Sequence, residues 1–321
     1  MKSETNQAGT RDHRAKPPAT TGRQARKRVT GAVYHAGVGL LTLALGVGAL
    51  TAGSRGMSTT ASAAMDDPAV APSAVGLRVD FAVTPTTPSP NAPVTFSYHL
   101  IDTRNGRTIS TLPLEHERPM HLIVVSRGLT RFQHIHPRGN PLGIWQVRTT
   151  LGVAGTYILY DEFSHAGRTV VDRRVVVIGR PSGGAALNPD LAAKKVGGMT
   201  VTLAAPATIS AGRPAQFTYQ LSRGGRPVTD LTPYLGAAAH IAIISADTNT
   251  FAHTHGEVGG SMSSMGSGGS MGGMDMAAPP SRFGPDVPFT YSFPRAGLYK
   301  IWAQFGERGR ILTVAFVVRA R

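Results

Sequence analysis

The stretch HLIVVSRGLTRFQHIH, residues 121–136, combines a short apolar run with two histidines separated by one residue. The run is rich in β-branched residues, and Arg127-Gly128 interrupts it before a second short run begins. This arrangement predicts a β-hairpin that turns near Arg127-Gly128. Alternate residues of a strand share a face, so His134 and His136 should project together, and the pairing should bring His121 opposite them.

The same pattern recurs later in the chain, and the distance from His136 to His255 is 119 residues. A later pair of matching positions, Ala154 and Ala296, is 142 residues apart, so the second copy carries an insertion of 23 residues (142 − 119). A repeat of this length indicates a duplicated domain rather than a solenoid. The matching segments are PVTFSY (93–98) with PAQFTY (214–219), HLIVVS (121–126) with HIAIIS (240–245), FQHIHP (132–137) with FAHTHG (251–256), and AGTYILYDEF (154–163) with AGLYKIWAQF (296–305).

Short β-branched and aromatic runs, separated by Gly, Pro, Asn and Asp, continue through both copies. This pattern predicts an all-β fold of two tandem Ig-like antiparallel β-sandwich domains of about seven strands each, preceded by one N-terminal transmembrane helix. The predicted boundaries are a basic cytoplasmic tail at 1–28, a transmembrane anchor or signal at 29–53, a flexible linker at 54–75, the first sandwich at 76–179, a second linker at 180–197, and the second sandwich at 198–321 with a Met-rich insertion at 256–283.

The N-terminal region indicates export. Residues 1–28 are polar and basic, and Val29–Ser54 carries no charged side chain. About 20 apolar residues span a bilayer as a helix, and a basic flank stays in the cytoplasm. We therefore expect a single-pass membrane anchor with the domains outside the cell. The alternative is a cleaved signal peptide, for which ASAAM (61–65) offers a small-x-small site, and both interpretations export residues 65–321.

Composition excludes several classes of protein. The chain has no cysteine, which rules out disulfides, thiolate metal sites and blue-copper electron carriers. The formal net charge of +15 is partly concentrated in residues 1–28, and the remainder contains no Lys/Arg run, so we expect no nucleic-acid binding. No H-E-x-x-H motif is present, and no G-x-S-x-G elbow joins a predicted strand to a helix, because the match GGSMG (268–272) lies in a Gly/Ser/Met-rich insertion; we therefore expect no enzyme activity.

Each copy carries three histidines in register, and three imidazoles on paired strands are typical of a copper or zinc site. The alternative is a structural hydrogen-bond cluster that packs the hairpin. The predicted ligands are His121, His134 and His136 for site one, and His240, His253 and His255 for site two. Optional further ligands of the first copy are His116, Asp161, Glu162 and His165.

The insertion after His255 favours copper. It contains methionines among Gly, Ser, Ala and a few acidic residues, with little other apolar side-chain mass against which they could pack. Thioethers select Cu(I), so we expect this segment to collect copper, with zinc the less favoured metal. The alternative is a low-complexity linker. The methionines are Met262, Met265, Met271, Met274 and Met276.

Two segments carry a family resemblance: MHLIVVSRGLTRFQHIHP (120–137) and YLGAAAHIAIISADTNTFAHTHG (234–256), each followed by AG-x-Y and an aromatic strand. Residues 76–321 resemble the extracytoplasmic YtkA-like and CopC-like modules, most closely the two-module, membrane-anchored type of actinobacteria. The resemblance implies an Ig-like fold and copper handling or resistance outside the membrane. The N-terminal histidine brace of CopC-type modules is not carried over, because the first copy does not lie at a free N-terminus and the histidine spacing differs.

These features together predict a membrane-tethered extracytoplasmic metal-binding protein that prefers copper and meets a copper-transport or cell-envelope protein. The alternative is a non-catalytic cell-surface interaction module whose histidines are structural.

Overall fold

The computed structural model describes residues 75–181, 186–257 and 280–321, and these residues form an all-β structure of two repeats. The strands of the first repeat are β1 Leu77–Thr84, β2 Pro93–Asp102, β3 Arg107–Thr108, β4 His121–Ser126, β5 Phe132–Ile135, β6 Arg138–Gly139, β7 Ile144–Thr150, β8 Gly155–His165 and β9 Arg168–Ile178. Those of the second are β10 Lys194–Val196, β11 Met199–Ala204, β12 Pro214–Arg223, β13 Arg226–Pro227, β14 His240–Ser245, β15 Phe251–His255, β16 Asp286–Ser292, β17 Gly297–Glu307 and β18 Arg310–Ala320.

Each repeat contains two antiparallel sheets. In the first repeat, an outer sheet has the order β1-β2-β7-β6 with β3 beside β2, and an inner sheet has the order β5-β4-β8-β9. In the second repeat, the outer sheet has the order β10-β11-β12-β13 with β16 beside β12, and the inner sheet has the order β15-β14-β17-β18. The all-β, antiparallel and duplicated organisation expected from the sequence is confirmed.

Apolar side chains fill the space between the two sheets of each repeat, and a third apolar layer joins the inner sheets of the two repeats. In β4, Leu122 and Val124 face the core of the first repeat, whereas Ile123 and Val125 face the second repeat. The inner strands are therefore covered on both faces, which explains why β4 and β14 are apolar at successive positions instead of alternating.

Two reciprocal aromatic stacks hold the inner sheets together. Phe132 of the first repeat stacks on Trp302 of the second at 5.1 Å between ring centroids. Phe251 of the second repeat stacks on Tyr160 of the first at 4.4 Å. Trp302 lies 142 residues after Tyr160, so the two contacts are equivalent positions exchanged between repeats. The phenylalanine of each Phe-x-His-x-His motif therefore packs across the interface between repeats.

Part of the segment predicted to be a linker, 180–197, is structured. Asp190 exchanges two main-chain hydrogen bonds of 2.9 Å with Val317, Leu187 packs against the layer between the inner sheets, and β10 extends the second outer sheet. The described residues contain no helix with the length and apolar character needed to cross a membrane. The predicted anchor or signal at 29–53 and the methionines of the insertion lie outside the described residues.

Candidate metal centre

The two histidine hairpins form as expected. In the first, β4 pairs with β5 so that Ile123 lies opposite His134. In the second, β14 pairs with β15 so that His240 lies opposite His255. A hydrogen bond of 2.7 Å from the Leu129 amide to the Ser126 carbonyl closes the first turn around Arg127-Gly128. Each hairpin presents its histidines on the face that meets the other repeat.

The two triads are not separate sites, which corrects the expectation of one site per repeat. Because the inner sheets pack face to face, His121 lies 6.0 Å from His240 and 5.1 Å from His253 between ring centroids. His134 lies 5.1 Å from His253. The histidines of both repeats therefore make one cluster across the interface.

Four of these histidines converge most closely. His121, His134, His240 and His253 each offer one ring nitrogen, and these four nitrogens lie within 4.8 Å of one another. We call them the four-histidine centre. Within it, His121 Nδ1 is 2.9 Å from His134 Nε2, and His240 Nδ1 is 3.0 Å from His253 Nε2.

The outer nitrogens of His121 and His240 face main-chain carbonyl groups. His121 Nε2 is 2.8 Å from the carbonyl oxygen of Glu115, and His240 Nε2 is 3.3 Å from that of Leu235. A carbonyl oxygen only accepts hydrogen bonds, so each Nε2 carries the proton. A neutral imidazole has only one N–H, so Nδ1 of both residues is unprotonated and directs its lone pair into the centre.

Side-chain acceptors face the outer nitrogens of the other two histidines, His134 and His253. His134 Nδ1 is 2.8 Å from Gln304 Oε1, and His253 Nδ1 is 3.1 Å from Glu162 Oε2. The Gln304 amide is oriented by the hydrogen bond that its nitrogen donates to Thr313 Oγ1, at 3.3 Å. Nδ1 of His134 therefore donates to Gln304, and Nδ1 of His253 donates to Glu162 when that side chain is ionised, so each Nε2 presents a lone pair to the centre. These hydrogen bonds cross between repeats in both directions.

The inner nitrogens thus face one another as lone pairs at about hydrogen-bond distance, an arrangement that a positive charge between them would stabilise. A proton is a poor candidate at neutral pH. Burial lowers the pKa of His253 to about 3 and that of His134 well below its usual value. Four neutral imidazole nitrogens are instead a ligand set that suits zinc and copper.

The remaining histidines of the triads flank the centre. Nε2 of His136 and Nε2 of His255 are buried without a hydrogen-bond partner among the described residues. Burial lowers the pKa of His136 to about 3 and that of His255 to about 2. Both side chains are therefore neutral, with a nitrogen available to a cation.

His116 lies against the second repeat, although the sequence suggested it as an optional ligand of the first copy. Its ring centroid is 3.5 Å from that of His255 and 5.6 Å from that of His240. One nitrogen from each of these three residues lies within 4.8 Å of the others.

The other optional ligands differ in position. Glu162 hydrogen-bonds to His253, and burial raises its pKa to about 7. Asp161 has the opposite orientation on β8, towards the core of the first repeat, and neither Asp161 nor His165 belongs to a histidine group. Gln304 was not among the predicted residues, although its distance of 142 residues from Glu162 marks it as the equivalent position.

Several solved structures are similar to this chain at low scores. The adhesin FdeC of Escherichia coli shows 14% identity and a TM-score of 0.24, covering 76% of this chain and 64% of that one. The adhesin InvE of Yersinia pseudotuberculosis shows 11% identity and a TM-score of 0.25, covering 77% of this chain and 61% of that one. Salmonella alpha-2-macroglobulin reacted with methylamine shows 14% identity and a TM-score of 0.24, with 80% and 15% covered.

The chain therefore spans less than two thirds of each of these structures, and similarity at such scores carries no inference about function. No curated protein sequence matches the chain. One family profile matches residues 73–178 and 194–321, which together include both repeats. The chain belongs to that family, which is described as a domain of unknown function, DUF8832.

Proposed function

We propose that this chain is a metal-binding protein in which the two repeats share one four-histidine centre. The observation that carries this proposal is the pair of short contacts between inward-facing ring nitrogens, 2.9 Å from His121 to His134 and 3.0 Å from His240 to His253, whose outer nitrogens each face an acceptor. A divalent ion between the four nitrogens would turn two repulsive contacts into four metal–nitrogen bonds of about 2.0–2.1 Å.

Copper is the preferred metal in this proposal, and zinc is the alternative. Four imidazoles suit both ions, so the histidines alone do not choose between them. The preference for copper rests on the five methionines of the insertion, which begins directly after the second hairpin, because thioethers select Cu(I). These residues are Met262, Met265, Met271, Met274 and Met276.

The setting of the protein is also proposed from the sequence. Val29–Ser54 and its basic flank support a membrane tether with both repeats outside the cell. In this location the protein would serve copper handling or resistance without catalysis. Each sandwich would have an Ig-like form, and the partner would be a copper-transport or cell-envelope protein. Protease added to intact cells should degrade both repeats and leave an N-terminal fragment in the membrane. Release of the whole mature protein would instead indicate a cleaved signal peptide.

A second candidate function is a non-catalytic cell-surface interaction module with structural histidines. One observation favours it: the apolar layer that includes Tyr160, Phe251 and Trp302 joins the repeats by itself, and the outer nitrogens of the centre all have hydrogen-bond partners. In that case the histidines would only brace the interface between the repeats.

Metal titration separates the two candidates. We expect the full chain to bind one Zn²⁺ or Cu²⁺ ion per molecule at the histidines, since thioethers are better ligands for Cu(I) than for these ions. Replacing His134 and His253 by Ala should abolish that equivalent. His99→Ala is the matched control, because His99 pairs with Thr108 Oγ1 at 3.0 Å in the first outer sheet. Equal metal content in the parent and in the His134/His253 variant would support the structural role instead.

Cu(I) binding tests the methionines. Thioethers do not titrate, so Cu(I) held by the insertion should persist at pH 5 and should be lost when its five methionines become Leu. If the Leu variant retains Cu(I) at pH 5 as well as the parent does, the insertion is a linker, and the preference for copper over zinc loses its main argument.

A further inference from the structure

His116 breaks the equivalence of the two repeats. It lies 119 residues before Leu235, and both residues occupy the first central position of a two-residue turn. The backbone φ is 47° at His116 and 49° at Leu235, so both residues adopt the left-handed conformation. This conformation is uncommon for residues other than glycine, and such residues concentrate at functional sites. The turns match, but only one of them carries an imidazole.

The His116 turn adds a third histidine to one side of the centre. His116 lies 3.5 Å from His255 between ring centroids, and these two residues and His240 can direct nitrogens to one point. His255 Nε2 is buried and has no hydrogen-bond partner among the described residues. On the opposite side, His136 is the counterpart of His255, but the turn equivalent to that of His116 carries Leu235. A three-histidine group therefore exists on one side only.

This group connects the surface with the four-histidine centre. His116 is exposed, whereas His240 is only 2% exposed. His240 belongs both to this group and to the centre. A neutral imidazole that keeps its proton has one lone pair, so His240 binds one ion at a time. The two positions therefore share a ligand and exclude simultaneous occupation.

The charges on the two sides differ in a way that directs a cation. Glu115, Glu117 and Glu162 lie close enough to His116 to act on it electrostatically. On the other side, a cavity of about 830 Å³ reaches His134 and His136, and its walls carry three arginines, Arg118, Arg138 and Arg148. Acidic groups raise the local concentration of cations, and an arginine-lined opening lowers it. Arg118 follows the His116 turn directly, but its side chain lines the opposite cavity.

We propose that His116, His240 and His255 form an outer site at which a metal cation first binds, and from which it passes to the four-histidine centre. We call this group the outer site. In the transfer, the bonds from the ion to His116 and His255 break while bonds to His121, His134 and His253 form. The oxidation state of the ion does not change. The proposal rests on the proposed function, because it requires the four-histidine centre as the destination.

The test measures the rates of metal binding in the full chain. Co²⁺ is mixed rapidly with the protein and followed by its visible absorption, and release is measured by adding a chelator in excess. His116→Leu copies the residue of the second repeat, and His116→Asn keeps a residue that tolerates positive φ. We expect both variants to load Co²⁺ about ten-fold more slowly or worse, because a cation that the acidic groups concentrate near the turn no longer meets its first ligand there. Release should slow by the same factor, and one equivalent should still bind with parental affinity.

A matched pair of variants tests the direction of approach. His255→Ala should slow loading as the His116 variants do, whereas Arg138→Gln, on the arginine-lined side, should load at the parental rate. Parental loading in His116→Leu, a changed equilibrium affinity in that variant, or faster loading in Arg138→Gln, which would show entry through the arginine-lined side, would each overturn the outer site. These outcomes leave the proposed function intact. If the parent itself binds no Co²⁺, the proposed function fails and the outer site fails with it.

Discussion

Glu162 and Gln304 occupy the same position in the two repeats, and each hydrogen-bonds to a histidine of the other repeat, Glu162 to His253 at 3.1 Å and Gln304 to His134 at 2.8 Å. The hydrogen bonds that orient the histidines of the centre therefore cross the interface between the repeats in both directions. The two positions offer different acceptors, a carboxyl group at Glu162 and an amide at Gln304.

Glu162→Gln should weaken metal binding. A carboxylate that accepts the Nδ1 proton of His253 makes the opposite nitrogen a stronger ligand, and loss of such a partner costs about 10-fold to 100-fold in affinity. We expect a fall of about ten-fold for Glu162→Gln by competition against a chelator, and a smaller opposite change for Gln304→Glu.

The pH dependence of affinity gives this prediction a second readout. Burial raises the pKa of Glu162 to about 7, so affinity of the parent should rise as the pH increases through that value. Glu162→Gln should lack this rise. Identical pH profiles for the two proteins would show that Glu162 does not act on the centre.

The metal-free protein should lose stability as the pH falls from 6.5 to about 3. Burial lowers the pKa of His136 and of His253 from 6.5 to about 3, so the unfolded chain binds protons in this range that the folded chain does not. This contribution to stability is fully present above 6.5 and is lost as the pH falls through the folded values.

Urea unfolding at pH 4.5 and 7 measures the effect, and His136→Ala/His253→Ala is the comparison because carboxylates also titrate at low pH. The free energy of unfolding should depend on pH less steeply in this variant, by about two protons at most. An unchanged slope would mean that the two histidines are protonated in the folded state.

Phe251→Ala should separate the repeats. Phe251 is 7% exposed and stacks on Tyr160 at 4.4 Å between the inner sheets. Loss of a buried phenylalanine costs about 3–5 kcal/mol, and the centre should lose metal affinity as the sheets move apart. Urea unfolding and metal titration check both effects. The control is Leu114→Ala, because Leu114 is 70% exposed and its loss should cost less than about 0.5 kcal/mol. Full metal affinity in Phe251→Ala would show that the stack does not hold the centre together.

Asp161→Ala should stabilise the first repeat. Asp161 is fully buried, and neither carboxylate oxygen has a hydrogen-bond partner among the described residues. Asp172 lies opposite it, whereas the equivalent pair in the second repeat is Ala303 and Val314. A buried polar group without a partner costs about 1–3 kcal/mol, which the substitution should recover.

The increase in the free energy of unfolding caused by Asp161→Ala should become larger as the pH rises. Burial raises the pKa of Asp161 well above its usual value, with the charge of Asp172 adding to the effect. A raised pKa means that stability is lost as the pH increases towards it, and the variant avoids that loss. Urea unfolding at pH 5 and pH 8 measures the difference. A destabilised variant at both values would show that the carboxyl group has a stabilising role.

The hairpins and their histidines could be predicted because they depend on short-range rules. Alternation along a strand places His134 on one face, and the turn at Arg127-Gly128 fixes the pairing. The duplication supported this interpretation by presenting the pattern twice. These local features needed no knowledge of how the repeats associate.

The union of the two triads could not be deduced from those rules, because it depends on how one sheet packs on another. Two signals did point to it. The strands β4 and β14 are apolar at successive positions, which indicates burial on both faces, and a phenylalanine precedes each histidine pair. The position of His116 against His255 had no such signal, since a turn residue reaches its neighbour only through the tertiary packing.

The crossed arrangement has a consequence for how the centre responds to dilution. A single repeat supplies only half of the four inner nitrogens, so two separate copies could complete such a centre only by associating, and their metal affinity would depend on protein concentration. Joining the repeats in one chain replaces that bimolecular step with an intramolecular one, at an effective concentration on the order of millimolar. A protein built in this way keeps its ligand set assembled even when it is present as isolated molecules.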